Sequence, residues 1–184
     1  EVILSAHSFV VFGLSANAVS AAPIIVPAAS WGHDLDAMAD AVTDSTRLIY
    51  VANPNNPTGT WNTAAELERF LDRVPSEVIV VVDQAYAEYV NRDDYADCVP
   101  WVSRYPNLVV TRTFSKVHGL AALRVGYAVS HADVADYMNR VRHPFNVNSV
   151  GLAAAEAAID DAEHIQRSIA VNEEGMAYLT EALA

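Results

Sequence analysis

Thr111-Arg112-Thr113-Phe114-Ser115-Lys116-Val117-His118-Gly119-Leu120-Ala121-Ala122-Leu123-Arg124 is the stretch that decides how this chain reads. Asn107-Leu108-Val109-Val110 just before it is apolar enough for a covered strand, so Lys116 is expected at a strand's C-terminal end and not on a solvated helix face. In open α/β sheets, ligands sit outside those ends.

Downstream, Arg124-Val125-Gly126-Tyr127-Ala128-Val129 reads as a further strand, and Ser130 as the cap of a helix bearing Val134, Tyr137, Met138 and Val141. From Ser149 the chain is Ala-rich and helical, expected as two helices split near Asp160-Asp161. Upstream, the β-branched run Glu77-Val78-Ile79-Val80-Val81-Val82 has the pattern of a parallel strand buried on both faces, and it ends at Asp83. Arg47 to Ala52 is another strand, ending in the dense turn run Asn53-Pro54-Asn55-Asn56-Pro57-Thr58-Gly59-Thr60. Thr63 with Glu66 has the form of a capping box, opening a helix with Leu67, Phe70, Leu71 and Val74 on one stripe. Asp34 is the expected cap of a helix carrying Leu35, Met38, Ala39 and Val42. Val2 to Leu4 and Pro23 to Val26 are the remaining strands; the prolines around the second favour a sheet edge, because proline cannot donate into a ladder. Strands alternating with helices at this spacing give an α/β fold: a three-layer αβα arrangement with a mostly parallel sheet.

Composition excludes some functions. The 184 residues carry a formal charge of −12 and no basic stripe, so no nucleic-acid or anionic-membrane partner is expected. No apolar run is long enough to span a bilayer, no signal-type segment is present, and the single cysteine, Cys98, cannot form an internal disulfide, so a cytoplasmic protein is expected. Metal-ligand spacings such as CxxC or HExxH are missing, as is a GxxxxGK phosphate loop.

Three apolar strands lead to Asn56, Asp83 and Lys116, each in a short polar turn. In a parallel sheet these ends face one way, which offers an amide, a carboxylate and an amine to one crevice. That set suits a lysine forming a Schiff base with an aldehyde cofactor whose ring nitrogen needs a partner. Pyridoxal 5′-phosphate makes these demands: a lysine (Lys116), an acid for the ring nitrogen (Asp83), donors to the ring oxygen (Asn56 and Tyr86), a flat stacking surface (Phe9), and hydroxyls with a guanidinium for the phosphate (Thr113, Ser115 and Arg124). Singly, each residue has a plain structural explanation: turn, helix cap, solvated charge, ion-pair partner or core aromatic. One cofactor on one fold requires all of them in this order. Cys98 is read as structural, and His118 as packed or solvated, with an approach to the site left open.

Asn56-Pro57-Thr58-Gly59, Asp83-Gln84-Ala85-Tyr86 and Ser115-Lys116 followed by Arg124 resemble the signature of class I/II aminotransferases of the fold-type I pyridoxal-phosphate superfamily, over essentially the whole chain. The wording of Asn53 to Thr60, of Thr113-Phe114-Ser115-Lys116 with Gly119-Leu120-Ala121, and of Pro144-Phe145-Asn146-Val147-Asn148 is most similar to the histidinol-phosphate branch. Two positions depart from the pattern: Gln84 stands where many relatives carry Glu, and His7 where Pro is common. The resemblance implies the residue roles given above, with Lys116, Asp83 and Tyr86 catalytic. It also implies a small-molecule amino donor and a 2-oxo acid as partners, and a homodimer. The expected reaction passes the amino group of histidinol phosphate to 2-oxoglutarate. Left open are a relative acting on aromatic or other amino acids, a decarboxylase of threonine phosphate, and a large-domain piece that is not catalytic alone. Residues 1–160 are expected to be part of the cofactor-binding large domain, and 161–184 the start of a helix leading to a small domain. In such a piece the strand after Arg124 would be an open sheet edge.

Overall fold

Five consecutive β-branched residues, Val78 to Val82, need apolar cover on both faces, and the computed structural model, which describes residues 1–184, places all but the first of them inside a six-stranded sheet. The strands are β1 (Val2–Ser5), β2 (Pro23–Val26), β3 (Leu48–Ala52), β4 (Ile79–Asp83), β5 (Leu108–Thr113) and β6 (Gly126–Ser130), in the order β2-β1-β3-β4-β5-β6. All pairings from β2 to β5 are parallel, whereas β6 runs antiparallel to β5. The helices are α1 (Val10–Ala18), α2 (Leu35–Asp40), α3 (Ala64–Arg73), α4 (Ala132–Val141), α5 (Ser149–Ile159) and α6 (Ala162–Ala182).

Each face of the sheet has its own cover. On one, Ile49, Val80 and Val110 pack with Met38 of α2 and Leu67 and Phe70 of α3. On the other, Val2, Leu4 and Ala52 pack with Phe12 and Ala16 of α1, while Phe114 and Val125 meet Ala155 of α5. Leu67 is fully buried, so truncating it to Ala costs about 2–5 kcal/mol.

The helix starts follow the sequence closely. Thr63 and Glu66 form the expected capping box, with Thr63 N–H donating to Glu66 Oε2 at 2.7 Å. Asp34 Oδ1 accepts the Ala37 N–H at 2.9 Å, and Asp161 Oδ1 accepts the His164 N–H at 3.0 Å, which separates α5 from α6 near Asp160-Asp161. The proline-bracketed β2 lies at one edge of the sheet and β6 at the other.

Two local expectations need correction. Ser130 does not cap α4: it is the last residue of β6, paired with Val109, and the cap falls to His131, whose Nδ1 accepts the Asp133 N–H at 3.4 Å. Arg124 is not in a strand. It sits two residues ahead of β6 at φ 57°, a left-handed conformation in which the chain reverses. A second left-handed segment is the tight turn Ala29–Gly32, whose end residues exchange both backbone hydrogen bonds at 3.1 and 2.8 Å. Its central residues, Ser30 and Trp31, have φ of 48° and 68°; each costs roughly 1–2 kcal/mol for an L side chain. No helix is long and apolar enough to cross a membrane.

Candidate active site

The order of strand addition reverses at β1: β2 lies on one side of β1, and every later strand on the other. Such a switch leaves a crevice at the carboxyl ends of the strands. Phe9 follows β1, Asn56 follows β3, Asp83 ends β4 and Lys116 follows β5. Phe9, Asn56, Asp83, Tyr86 and Lys116 all line one small cavity of about 70 Å³. Asn56, Tyr86 and Lys116 also form part of the wall of a larger adjoining one, about 940 Å³, lined as well by Trp61, Arg92 and Met176.

Lys116 is exposed, and its Nζ lies 5.0 Å from the centre of the Tyr86 ring without a carboxylate partner. The Asn56 amide nitrogen donates to Tyr86 Oη at 3.4 Å, so two donor groups converge beside the amine. Asp83 lines the smaller cavity and is half-buried. Its Oδ1 accepts from Thr111 Oγ1 at 3.0 Å and from Ala85 N–H at 3.2 Å, while no protein donor reaches Oδ2. Burial pushes the pKa of the Asp83 carboxyl above its ordinary value; Thr111, Ala85 and the charge of Lys116 oppose this without cancelling it. A half-buried carboxylate with one oxygen free of protein donors favours a cationic or N–H-bearing ligand.

Thr113, Ser115 and Arg124 do not line that cavity and form a second cluster. Ser115 N–H donates to Thr113 Oγ1 at 3.0 Å, and Arg124 Nη1 reaches Ser115 Oγ at 3.5 Å and the Ala121 carbonyl at 2.7 Å. The antiparallel sense of β6 makes this possible, because pairing Thr113 with Gly126 returns the chain to the carboxyl edge it has just left. The cluster offers hydroxyls and a guanidinium without a neutralising carboxylate, which is anion-binding chemistry.

Several supporting residues escaped the sequence reading. Thr111 is the register neighbour of Asp83, and a hydroxyl at that level of an apolar strand was the available signal. Arg112 points to the other face, where it pairs with Glu88 at 2.9 Å, Asp97 at 2.8 Å and Gln84 Oε1 at 3.2 Å. Gln84, fully buried, also accepts from Cys98 N–H at 3.0 Å and donates to Tyr95 Oη and the Ala96 carbonyl, both at 2.8 Å. Tyr95 Oη in turn donates to the Asn53 carbonyl at 2.7 Å, tying this network to the turn that carries Asn56. The departure at Gln84 therefore serves the scaffold behind Asp83. Cys98 is buried and its thiol is pushed up to about 12, chiefly by burial, in keeping with a structural role. His118 packs on Phe114 with ring centres 4.9 Å apart.

This fold and this lysine-centred crevice define a class of enzyme, and the sequence agrees: the chain belongs to the class I and II aminotransferases, whose family profile matches residues 1–184. Among named relatives it is 56% identical over 181 residues to histidinol-phosphate aminotransferase 1 of Idiomarina loihiensis and 58% identical over 180 residues to that of Nitrosococcus oceani, covering 98% of this chain and 49% of each relative. The chain thus spans about half the length of the curated relatives it matches. Among solved structures, it resembles histidinol-phosphate aminotransferase from Sinorhizobium meliloti in complex with pyridoxal 5′-phosphate, with a TM-score of 0.86 and 31% identity over 91% of this chain and 46% of that one. It also resembles a putative histidinol-phosphate aminotransferase from Erwinia carotovora, with a TM-score of 0.93 and 31% identity over 99% of this chain and 54% of that one.

Proposed function

We propose that this chain is the cofactor-binding part of a pyridoxal-phosphate enzyme that transfers the amino group of histidinol phosphate to 2-oxoglutarate, giving imidazole acetol phosphate and glutamate. The observation that carries the reading is the shared cavity of Lys116, Asp83, Asn56, Tyr86 and Phe9 at the carboxyl edge of the sheet. The relatives named above supply the substrate.

The residues fit that cofactor. Asp83 presents the carboxylate oxygen that no protein donor uses, suited to the ring N–H, and Thr111 and Ala85 hold its other oxygen in place. Asn56 and Tyr86 would donate to the ring oxygen, Phe9 would stack on the ring, and Thr113, Ser115 and Arg124 would hold the phosphate. When bound, the cofactor supplies an electron sink for the bonds at the amino donor's α-carbon. Lys116 Nζ would hold the cofactor through its amine and would be the base placed to take a proton from the donor's α-carbon. The Tyr86 ring beside Nζ limits where the amine can swing.

Three finer readings go with this. Residues 1–160 belong to the large domain and 161–184 begin the helix toward a small domain. The protein works as a homodimer, which large exposed apolar side chains such as Val141 and Phe145, 81% and 98% exposed, support. It is cytoplasmic, in keeping with its acidic surface and buried free thiol.

The test is borohydride reduction of cofactor-loaded full-length protein followed by peptide mass analysis, beside an assay with histidinol phosphate and 2-oxoglutarate. A cofactor-sized mass increment on the Lys116 peptide, lost in Lys116→Ala, is expected. An increment on another lysine position or none at all rejects the site, and no turnover of histidinol phosphate rejects the substrate.

A further inference from the structure

β1 and β3 are in register only at Val2–Leu48 and Ile3–Ile49; beyond these pairs β1 diverges and β3 continues alone on that side to Ala52. In a parallel ladder, alternate residues bond to opposite neighbours. Asn53 N–H goes to Asp83 of β4, so the N–H and carbonyl of Ala52 face the gap that β1 has left. His33 fills it. Its Nε2 lies 3.1 Å from Ala52 N and 2.9 Å from Ala52 O, and the residue is only 5% exposed.

The attachment continues along the turn. The His33 carbonyl accepts from Asn62 Nδ2 at 3.1 Å, and Asn62 exchanges two hydrogen bonds with the Asn53 side chain, at 2.8 and 3.1 Å. Ala52 and Asn53, the last residues before the turn that presents Asn56, are thus both fastened to His33 or its neighbour. The strained turn through Ser30 and Trp31 delivers His33 to this place, and left-handed non-glycine residues persist only where the surroundings determine them. His33 Nδ1 is buried without a partner, and burial lowers the ring's tendency to protonate. Nε2 serves one of these groups at a time, accepting the Ala52 N–H when it carries no proton and donating to the Ala52 carbonyl when it does, so either neutral tautomer ties the ring to Ala52.

We propose that His33 is a positioning residue for Asn56: its imidazole occupies the place of the missing strand at Ala52 and fixes where the Asn53–Asn56 turn leaves the sheet. The proposal rests on the reading of Asn56 as a donor to the cofactor's ring oxygen, a contact that sets the pH at which the absorbance of the lysine-bound cofactor changes. Gln places an amide where Nε2 lies and can serve Ala52 N or O, whereas Asn is one methylene too short.

The experiment uses full-length protein and two readouts. In the cofactor-loaded form, the absorbance midpoint is expected to move upward in His33→Leu and His33→Asn, in the same direction as in Asn56→Ala, and to stay at the wild-type value in His33→Gln. Adding His33→Leu to Asn56→Ala gives no further movement. In the cofactor-free form, hydrogen exchange at the Asn55 and Gly59 amides, which bond to Thr60 O and Asn55 O within the turn, rises at least about tenfold in His33→Leu and His33→Asn, and that local opening corresponds to a factor of ten in an equilibrium constant. The matched Gln and Asn variants keep the comparison valid should His33→Leu fail to fold. A midpoint unmoved by His33→Asn when Asn56→Ala moves it overturns the proposal, as does unchanged exchange. A wild-type protein without any Lys116-dependent absorbance rejects the functional reading alone, and the exchange result then decides the hold of His33 on the turn.

Discussion

Tyr95→Phe removes one oxygen atom and leaves the ring. That oxygen donates to the Asn53 carbonyl at 2.7 Å and accepts from Gln84 Nε2 at 2.8 Å, and both partners are fully buried residues. Gln84 retains the Ala96 carbonyl for its second N–H, so the substitution strands one N–H and one carbonyl. Each buried group left without a partner costs about 1–3 kcal/mol. Partial relaxation around the smaller side chain puts the sum near 2–3 kcal/mol. With a urea slope of roughly 2–3 kcal/mol per molar for a chain of this size, the unfolding midpoint falls by about 1 M. Tyr105→Phe is the matched control. Its hydroxyl also makes a short bond, 2.7 Å to Asp72 Oδ1, but Asp72 is 57% exposed, so water replaces the lost donor and the cost is about 0–1 kcal/mol. Urea titration of both variants, followed by tryptophan fluorescence, compares them directly. Equal midpoints for the two, or a Tyr95→Phe midpoint within about 0.3 M of wild type, would refute the claim that the Gln84–Tyr95 network supports the Asn53 turn.

Other expectations follow from the same geometry. Arg112→Met leaves Glu88 and Gln84 facing an apolar chain; because the Arg112 side chain is only 10% exposed, the loss is about 3–5 kcal/mol, read by chemical denaturation. Asp83→Asn acts in the opposite sense on the cofactor-free protein. Burial raises the folded-state pKa of Asp83, so its ionised form subtracts from stability at neutral pH, and that cost shrinks as pH falls through the raised folded value and is gone below the ordinary carboxylate range. The variant therefore melts higher than wild type at pH 7, with a gap that closes on acidification, and it loses cofactor affinity; a lower melting temperature at pH 7 would contradict this. Cys98, buried and with its thiol pushed up to about 12, reacts with a thiol reagent at the rate of unfolding, so labelling of native protein within minutes would place it at the surface.

The sequence announces the frame of this fold because its strands are unambiguous. Val78 to Val82 can only be a covered strand, and Thr63-x-x-Glu66 marks a helix start through its own hydrogen bonds. The sense of β6 is not legible in the same way. Residues alternate faces in parallel and antiparallel strands alike, and the reversal depends on one left-handed residue, Arg124, of a type seldom found there. The cap of α4 was misplaced for a related reason, since Ser130 is a better intrinsic cap than His131 but the ladder with Val109 claims it first. The lysine, acid and amide were recognisable as strand-end residues. Thr111, Tyr95 and His33 were not, because each acts through a partner 28 to 42 residues away, or 19 for His33, and nothing local marks it.

The alternation Thr111-Arg112-Thr113 in β5 also carries information about register. Thr111 faces Asp83 and Thr113 joins the Arg124 cluster, while Arg112 between them faces the buried network of Gln84 and Glu88. A slip of β5 by one residue would exchange these faces. The guanidinium would then meet Asp83, and threonine hydroxyls would be left opposite Glu88 and Asp97. Valine-rich neighbours pack almost equally well in either register, so the apolar part of β5 does little to forbid that slip. The polar triplet forbids it at both faces at once, and the residues that shape the site thereby also act as the alignment marks by which the strand finds its place.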